Sequence, residues 1–204
     1  MKQYLRVCKK LNVDAKNVCL PLFAILMLQM NAKAQDRQLV YDIMREGDVI
    51  GTINFEERIN KKRFLLPNSD VKTRFIFSFS DYCKEAAAYE DGVMVYSFFY
   101  QKQNGKDKAN KETIASGNSY KLTDNGVSKV FGCNPIRYNM LLLYCAIPEN
   151  ITKVYSDNYQ KLLDLKKVDE HKYRLTLPDG NYNYYTYRDG VCCKVDVERT
   201  FFTL

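Results

Sequence analysis

The sequence predicts a mainly β protein with antiparallel strands and one short helix. Three observations carry that prediction. Apolar and aromatic residues recur with a period of two in short runs, which is the pattern of strands rather than of a helix face. The runs are separated by Asx-Gly pairs, which suit the positive φ angles of tight hairpin turns. Aromatic content is high, with 16 Tyr and 11 Phe but no Trp, and aromatic and β-branched residues favour strands. The runs amount to about eight to ten strands of ordinary length. Such a set is expected to close into a barrel or half-barrel or to pack as a sandwich, with the barrel or half-barrel preferred, because open edges invite aggregation.

Taken in order, Leu39, Tyr41 and Ile43 alternate with Val40, Asp42 and Met44. Glu46-Gly47-Asp48 turns the chain, and Val49, Ile53 and Phe55 continue the alternation. Residues 73–80 read as the cleanest strand, with Phe75, Phe77 and Phe79 sharing one face. Residues 86–90 and 93–100 read as a hairpin about Asp91-Gly92. Further turns are expected at Asn104-Gly105 and Asp124-Asn125-Gly126, and residues 106–111 read as a loop. Asn134-Pro135 is a good helix start and Pro148 a stop, so residues 136–147 are the expected helix, although a buried strand would look similar. Strands follow at 151–155 and 159–167. Residues 171–177, 181–187 and 191–198 form an expected three-stranded meander about Asp179-Gly180 and Asp189-Gly190. In the last strand Cys193 is expected to face the core with Val191, Val195 and Val197.

The first 34 residues read as a cleavable export signal. Lys2, Arg6, Lys9, Lys10 and Lys16 lead into the apolar run 18–30, and a small-residue Ala-x-Ala site ends at Ala34 before Gln35. That apolar run is shorter than the roughly 20 residues a spanning helix needs, so no stable membrane span is expected after cleavage. Residues 35–204 then form a single antiparallel β domain, and the expected location is the periplasm or outside the cell. The full chain carries 31 basic and 24 acidic residues. Six of the bases and one of the acids lie before Gln35, leaving 25 against 23, a net charge of +2. That near-neutral balance argues against a nucleic-acid partner.

Little catalytic chemistry is legible. His171 is the single histidine. It sits beside Glu170 at the start of a strand, with no nucleophile motif near it in sequence, so no catalytic residue is assigned. One imidazole and no ligand-spaced cysteines leave no expected metal site, and no phosphate loop or other cofactor motif is present. Five cysteines follow the leader. Cys192 and Cys193 are adjacent in a strand and point to opposite faces. Cys83, Cys133, Cys145 and Cys192 are the candidates for a disulfide or a free thiol, since an odd count leaves one thiol over. Tyr182 and Tyr184, with Phe75, Phe77 and Phe79, are candidates to line a cavity or the core. Cross-strand aromatic pairing is the competing reading for the tyrosines.

A resemblance adds to this. Tyr41-Asp42-Ile43, Gly47 and Ile50-Gly51 near the start, Lys153-Val154-Tyr155-Ser156, and the run from Leu177-Pro178-Asp179-Gly180 to Val191-Cys192 resemble an uncharacterised family of exported β-rich proteins of Bacteroidota-type bacteria. The likeness spans most of residues 38–200. It implies a β-rich envelope protein with no assigned activity and supplies no catalytic residues. A fainter likeness, in architecture alone, is to periplasmic half-barrels that hold or pass on lipids. The expected function is therefore that of a non-enzymatic envelope protein binding an apolar or amphiphilic ligand. The alternative is a structural protein with a filled core that meets an envelope protein partner through its surface.

Overall fold

The structure, a computed structural model, describes residues 2–10, 36–74, 78–132 and 134–198, with the side chains of residues 2–10, 72–74, 78 and 79 left undescribed. The first meander comprises β2 (Arg37–Arg45), β3 (Asp48–Ile59), β4 (Arg63–Arg74), β5 (Ser78–Glu90), β6 (Val93–Gln103), β7 (Lys106–Ser116), β8 (Ser119–Asp124) and β9 (Val127–Phe131). The second comprises β10 (Lys153–Ser156), β11 (Lys161–Asp169), β12 (Lys172–Thr176), β13 (Tyr182–Arg188) and β14 (Val191–Glu198). Every neighbouring pair in each meander is antiparallel. These 13 strands form two antiparallel sheets. One further strand, β1 (Lys2–Lys10), is hydrogen-bonded between β14 and β2. The resulting order begins at β10 and ends at β9, and no closed barrel is found among the described residues.

Hairpin chemistry places most of these elements. Asp91 and Gly92 both have positive φ, 49° and 75°, as the two-residue turn whose twist matches its strands requires. Asn104-Gly105, Asn125-Gly126 and Asp189-Gly190 turn in the same way. A bulge between Ile43 and Met44 breaks the strict alternation of β3, and Val49 ends up 56% exposed.

Several expectations are corrected. Residues 73–80 are not one strand: Arg74 pairs with Ser78 and Thr73 with Phe79, so the chain reverses between them. Alternation cannot reveal this, because residues on either side of a hairpin turn keep the same period. Phe75 and Phe77 lie outside the described residues. Residues 106–111 are the start of β7 rather than a loop, since their backbone completes the ladder with β6. The helix shrinks to α1 (Leu142–Cys145), a single turn. Its expected first half is instead extended, with Met94 N–H donating to Ile136 O at 2.7 Å and Tyr155 N–H to Tyr138 O at 2.9 Å. A register shift opposite Thr186 and Tyr187 puts Cys192, at 0% exposure, into the core with Val195, and leaves Cys193 half-exposed.

The core lies where the buried faces of both sheets meet the segment 136–160. Tyr41, Phe55, Leu65 and Leu122 from the first sheet, Leu175, Tyr185 and Val195 from the second, and Leu141, Leu143 and Tyr155 from the segment form one cluster. Burying a side chain of this size contributes about 1.5–3 kcal/mol. The segment therefore holds the two sheets to each other.

Candidate functional site

The segment around α1 runs along the buried faces as a strap, and its carbonyls are met by side chains. A one-turn helix leaves its last C=O groups without intrahelical partners. Tyr187 Oη donates to Leu143 O at 2.8 Å, Tyr41 Oη to Tyr144 O at 3.0 Å, and Arg37 Nη1 to Cys145 O at 3.0 Å. Tyr138 Oη, from the strap itself, donates to Ala146 O at 2.7 Å. Beneath Cys145 the Glu57 carboxylate, 0% exposed, is clasped by Arg37 at 3.0 Å and by Arg63 at 2.5 Å. Arg63 Nη2 also reaches Cys145 Sγ at 3.5 Å. Burial, then the Glu57 charge, pushes the Cys145 thiol up to about 12, so it is an inert core thiol. This cluster, one carboxylate held by two guanidiniums, serves to anchor the strap.

The inner face is divided into two halves. Toward the Asp91-Gly92 end, the cross-strand row Glu57, Leu65, Ala87, Ser97, Thr113 and Leu122 is wholly buried. Toward the Asn104-Gly105 end, the row Ile43, Gly51, Val71, Asp81 and Gln103 is half-exposed throughout. The row between them, Ile53, Ser69, Cys83 and Gln101, is half-exposed as well. Tyr144, from the strap, stands at the boundary, with its ring 5.3 Å from Tyr41, 5.7 Å from Phe55 and 6.2 Å from Tyr185. Ile43 and Ile53 of the lower rows are partly buried and pack against the core cluster.

Acidic groups collect at that boundary. Glu85 follows Asp81 and Cys83 on the inner face of β5. Burial, and then the charge of Asp157, pushes its carboxyl up to about 8. Asp157, 3% exposed in the turn after β10, is pushed up to about 6 by burial. Its Oδ2 accepts from Asn139 Nδ2 at 2.9 Å, and hydrogen bonds from the Ser97 and Asn139 side chains work against the upward shift. Asp81 is held by Gln101 Nε2 at 3.0 Å. Carboxyl groups perturbed by burial in this way occur both at functional sites and in structural cores.

The comparisons bear on the whole of this arrangement. The family model described as "Domain of unknown function (DUF6134)" matches residues 41–204. The chain belongs to the DUF6134 family. No curated protein and no solved structure shows significant similarity to it. The DUF6134 region contains both sheets from Tyr41 onward and the whole strap, so the divided inner face is a feature of that region.

Within this DUF6134 chain, the sequence-predicted site residues scatter. Cys83 lies on the inner face, 3.8 Å from Glu85 Oε1. Cys145 and Cys192 are buried, and Cys83, Cys145, Cys192 and Cys193 are free thiols. Cys133, the Ala34–Gln35 junction, Phe75, Phe77 and the Phe79 side chain lie outside what is described. Tyr182 and Tyr184 sit half-buried on the opposite face of β13, under Arg174 and Lys172 at 4.7 Å each. Their neighbours Tyr185 and Tyr187 enter the core, 1% and 3% exposed. His171 is exposed, 3.8 Å from Glu170. Sequence reading missed Glu85, whose parity with Ala87 and Tyr89 was the available signal. It also missed Asn139, which fell inside the expected helix, and Asp157, which read as an ordinary turn residue.

Proposed function

We propose that the protein is an exported, non-enzymatic envelope protein that binds an apolar or amphiphilic ligand on the inner face of a half-barrel made by its two sheets. The observation that carries this reading is the division of that face. Its upper half is packed by the chain's own strap, and its lower half leaves Ile43, Ile53 and Val71 only partly buried beside Ser69 and Gln101, with Ile43 and Ile53 packing on one side against the core. Apolar side chains with a few polar groups are the lining an amphiphile requires. The leader belongs to the same proposal: signal peptidase cuts between Ala34 and Gln35, which removes β1 and leaves the 13 strands of the two sheets.

Native mass spectrometry on protein recovered from its own cell envelope tests both parts. The expected result is a chain beginning at Gln35 that carries extra mass lost on denaturation. A chain of the right mass with no adduct, together with failure to bind any alkyl amphiphile, would overturn the ligand reading.

A second reading, that of an interaction protein, draws on a separate observation. Strand β9 is a sheet edge, and Val127 and Val130 on it are 75% and 77% exposed. Such an edge is a template for pairing with another chain. An apo protein that co-purifies with one envelope protein, and loses it on Val130→Lys substitution, would favour this reading.

A further inference from the structure

We infer that the mature protein carries a strand-acceptor slot between β2 and β14, filled by an extended segment of a partner protein with apolar residues at alternate positions. This rests on the leader cleavage proposed above and not on the ligand. The strand that occupies the slot defines it. β1 runs antiparallel to β14 from the Lys2–Glu198 pair to Arg6–Lys194, and antiparallel to β2 from Gln3–Arg45 to Lys10–Leu39. Cleavage after Ala34 detaches it, and no other described strand lies between the two. β2 and β14 then each present a row of unpaired N–H and C=O groups, the template onto which another chain adds.

The flanks are kept from closing on each other. Both are antiparallel to β1, so they run parallel, two strand spacings or about 9.5 Å apart. A tyrosine braces that spacing. Tyr41 of β2 donates from its Oη to Cys192 O of β14 at 3.0 Å, and the same hydroxyl lies 3.0 Å from Tyr144 O of α1. The Tyr41 side chain therefore crosses from β2 to β14 on the core side of the slot. Direct pairing of β2 with β14 would have to displace this ring from a core in which it is 0% exposed.

The residues around the slot determine what fits it. The position of Leu5 stands opposite Ile43 on β2 and Val195 on β14, and that of Val7 stands opposite Tyr41. Val195 is buried, and Ile43 packs against the same core cluster. A strand seated here thus places two alternate positions in the core row, where a charge would be buried at high cost. The position between them, that of Arg6, falls in the outer row between Asp42 and Lys194 and suits a polar residue.

The probe is the peptide Lys-Gln-Tyr-Leu-Arg-Val-Cys-Lys-Lys, residues 2–10 of this chain. It is added to the mature chain, Gln35 to Leu204, made without its leader. Binding is read by fluorescence anisotropy of labelled peptide and by amide hydrogen exchange. The expected result is saturable one-to-one binding that slows exchange of the slot-facing amides in residues 39–45 and 194–198 and leaves β9 unchanged. Peptides carrying Leu5→Asp or Arg6→Pro are expected to bind about tenfold more weakly or worse, the first by burying a charge and the second by losing a ladder donor. Both changes lie in the peptide, so the folding of the protein is untouched. A mature chain that folds only when the peptide is present would support the slot equally. Slot-facing amides already slow without peptide would show a closed slot and overturn the inference. So would the absence of binding, or protection of β9 alone, and either result on a chain beginning at Gln35 leaves the cleavage reading standing. Envelope protein that still carries residues 2–10 would overturn the cleavage and the slot together.

Discussion

Glu57 and Glu85 are both carboxyls inside a β core, yet they are handled in opposite ways. Glu57 is charged and clasped by two arginines, each about a third exposed. Breaking a buried pair by removing one partner costs about 3–5 kcal/mol, and partial hydration of the arginines brings the expectation for Glu57→Ala to about 2–3 kcal/mol. Urea denaturation checks this, and a loss below half of that would show that water replaces the clasp. Glu85 has no cation and keeps its proton to about pH 8 in the folded chain, whereas in the unfolded chain it loses that proton near the ordinary glutamate value. Between those two values the folded state binds more protons, so stability falls as pH rises. The melting temperature of the wild type should therefore decline from pH 5 to pH 8 more steeply than that of Glu85→Gln, which has no proton to lose there. Parallel slopes for the two proteins would place the Glu85 carboxyl in water.

At the scale of elements, the strap decides more than any strand does. Tyr41 Oη lies 3.0 Å from both Tyr144 O and Cys192 O, so one hydroxyl ties the strap to the second sheet. Tyr41→Phe removes the one hydroxyl proton that these two carbonyls share, Tyr187→Phe removes the donor to Leu143 O, and each is expected to cost about 1–3 kcal/mol. Wild-type stability in both variants would mean that the strap is held by packing alone. Gly51 marks another close approach: a Cβ there would lie 2.4 Å from Asp70 O on β4. Gly51→Ala should destabilise through a forced shift of β3 against β4, seen as a lower denaturation midpoint. The hairpins were legible because Asp-Gly and Asn-Gly turns act locally. The strap was not, since residues 136–139 carry the apolar content of a helix and hydrogen bonds to Met94 and Tyr155 hold them out of one.

For the whole molecule, one cluster joins both sheets through the strap. Unfolding is therefore expected to be a single transition, with far-ultraviolet circular dichroism and tyrosine fluorescence coinciding. Two separated transitions would show that β2–β9 and β10–β14 fold independently. The free edge at β9 belongs to this scale too, because an exposed apolar edge governs how the protein meets other chains rather than how it folds.

The β class, the antiparallel pairing and the positions of the Asx-Gly turns followed from the sequence by itself, because strand period and Asx-Gly geometry are properties of a few adjacent residues. So did the placing of Tyr41, Phe55 and Tyr185 within strands. The reversal hidden in residues 73–80, the inward turn of Cys192 and the split between a packed and an open half of the inner face were decided only by tertiary structure. Each depends on which distant segment lies opposite, and a bulge or a strap of chain changes that partner without changing the local period.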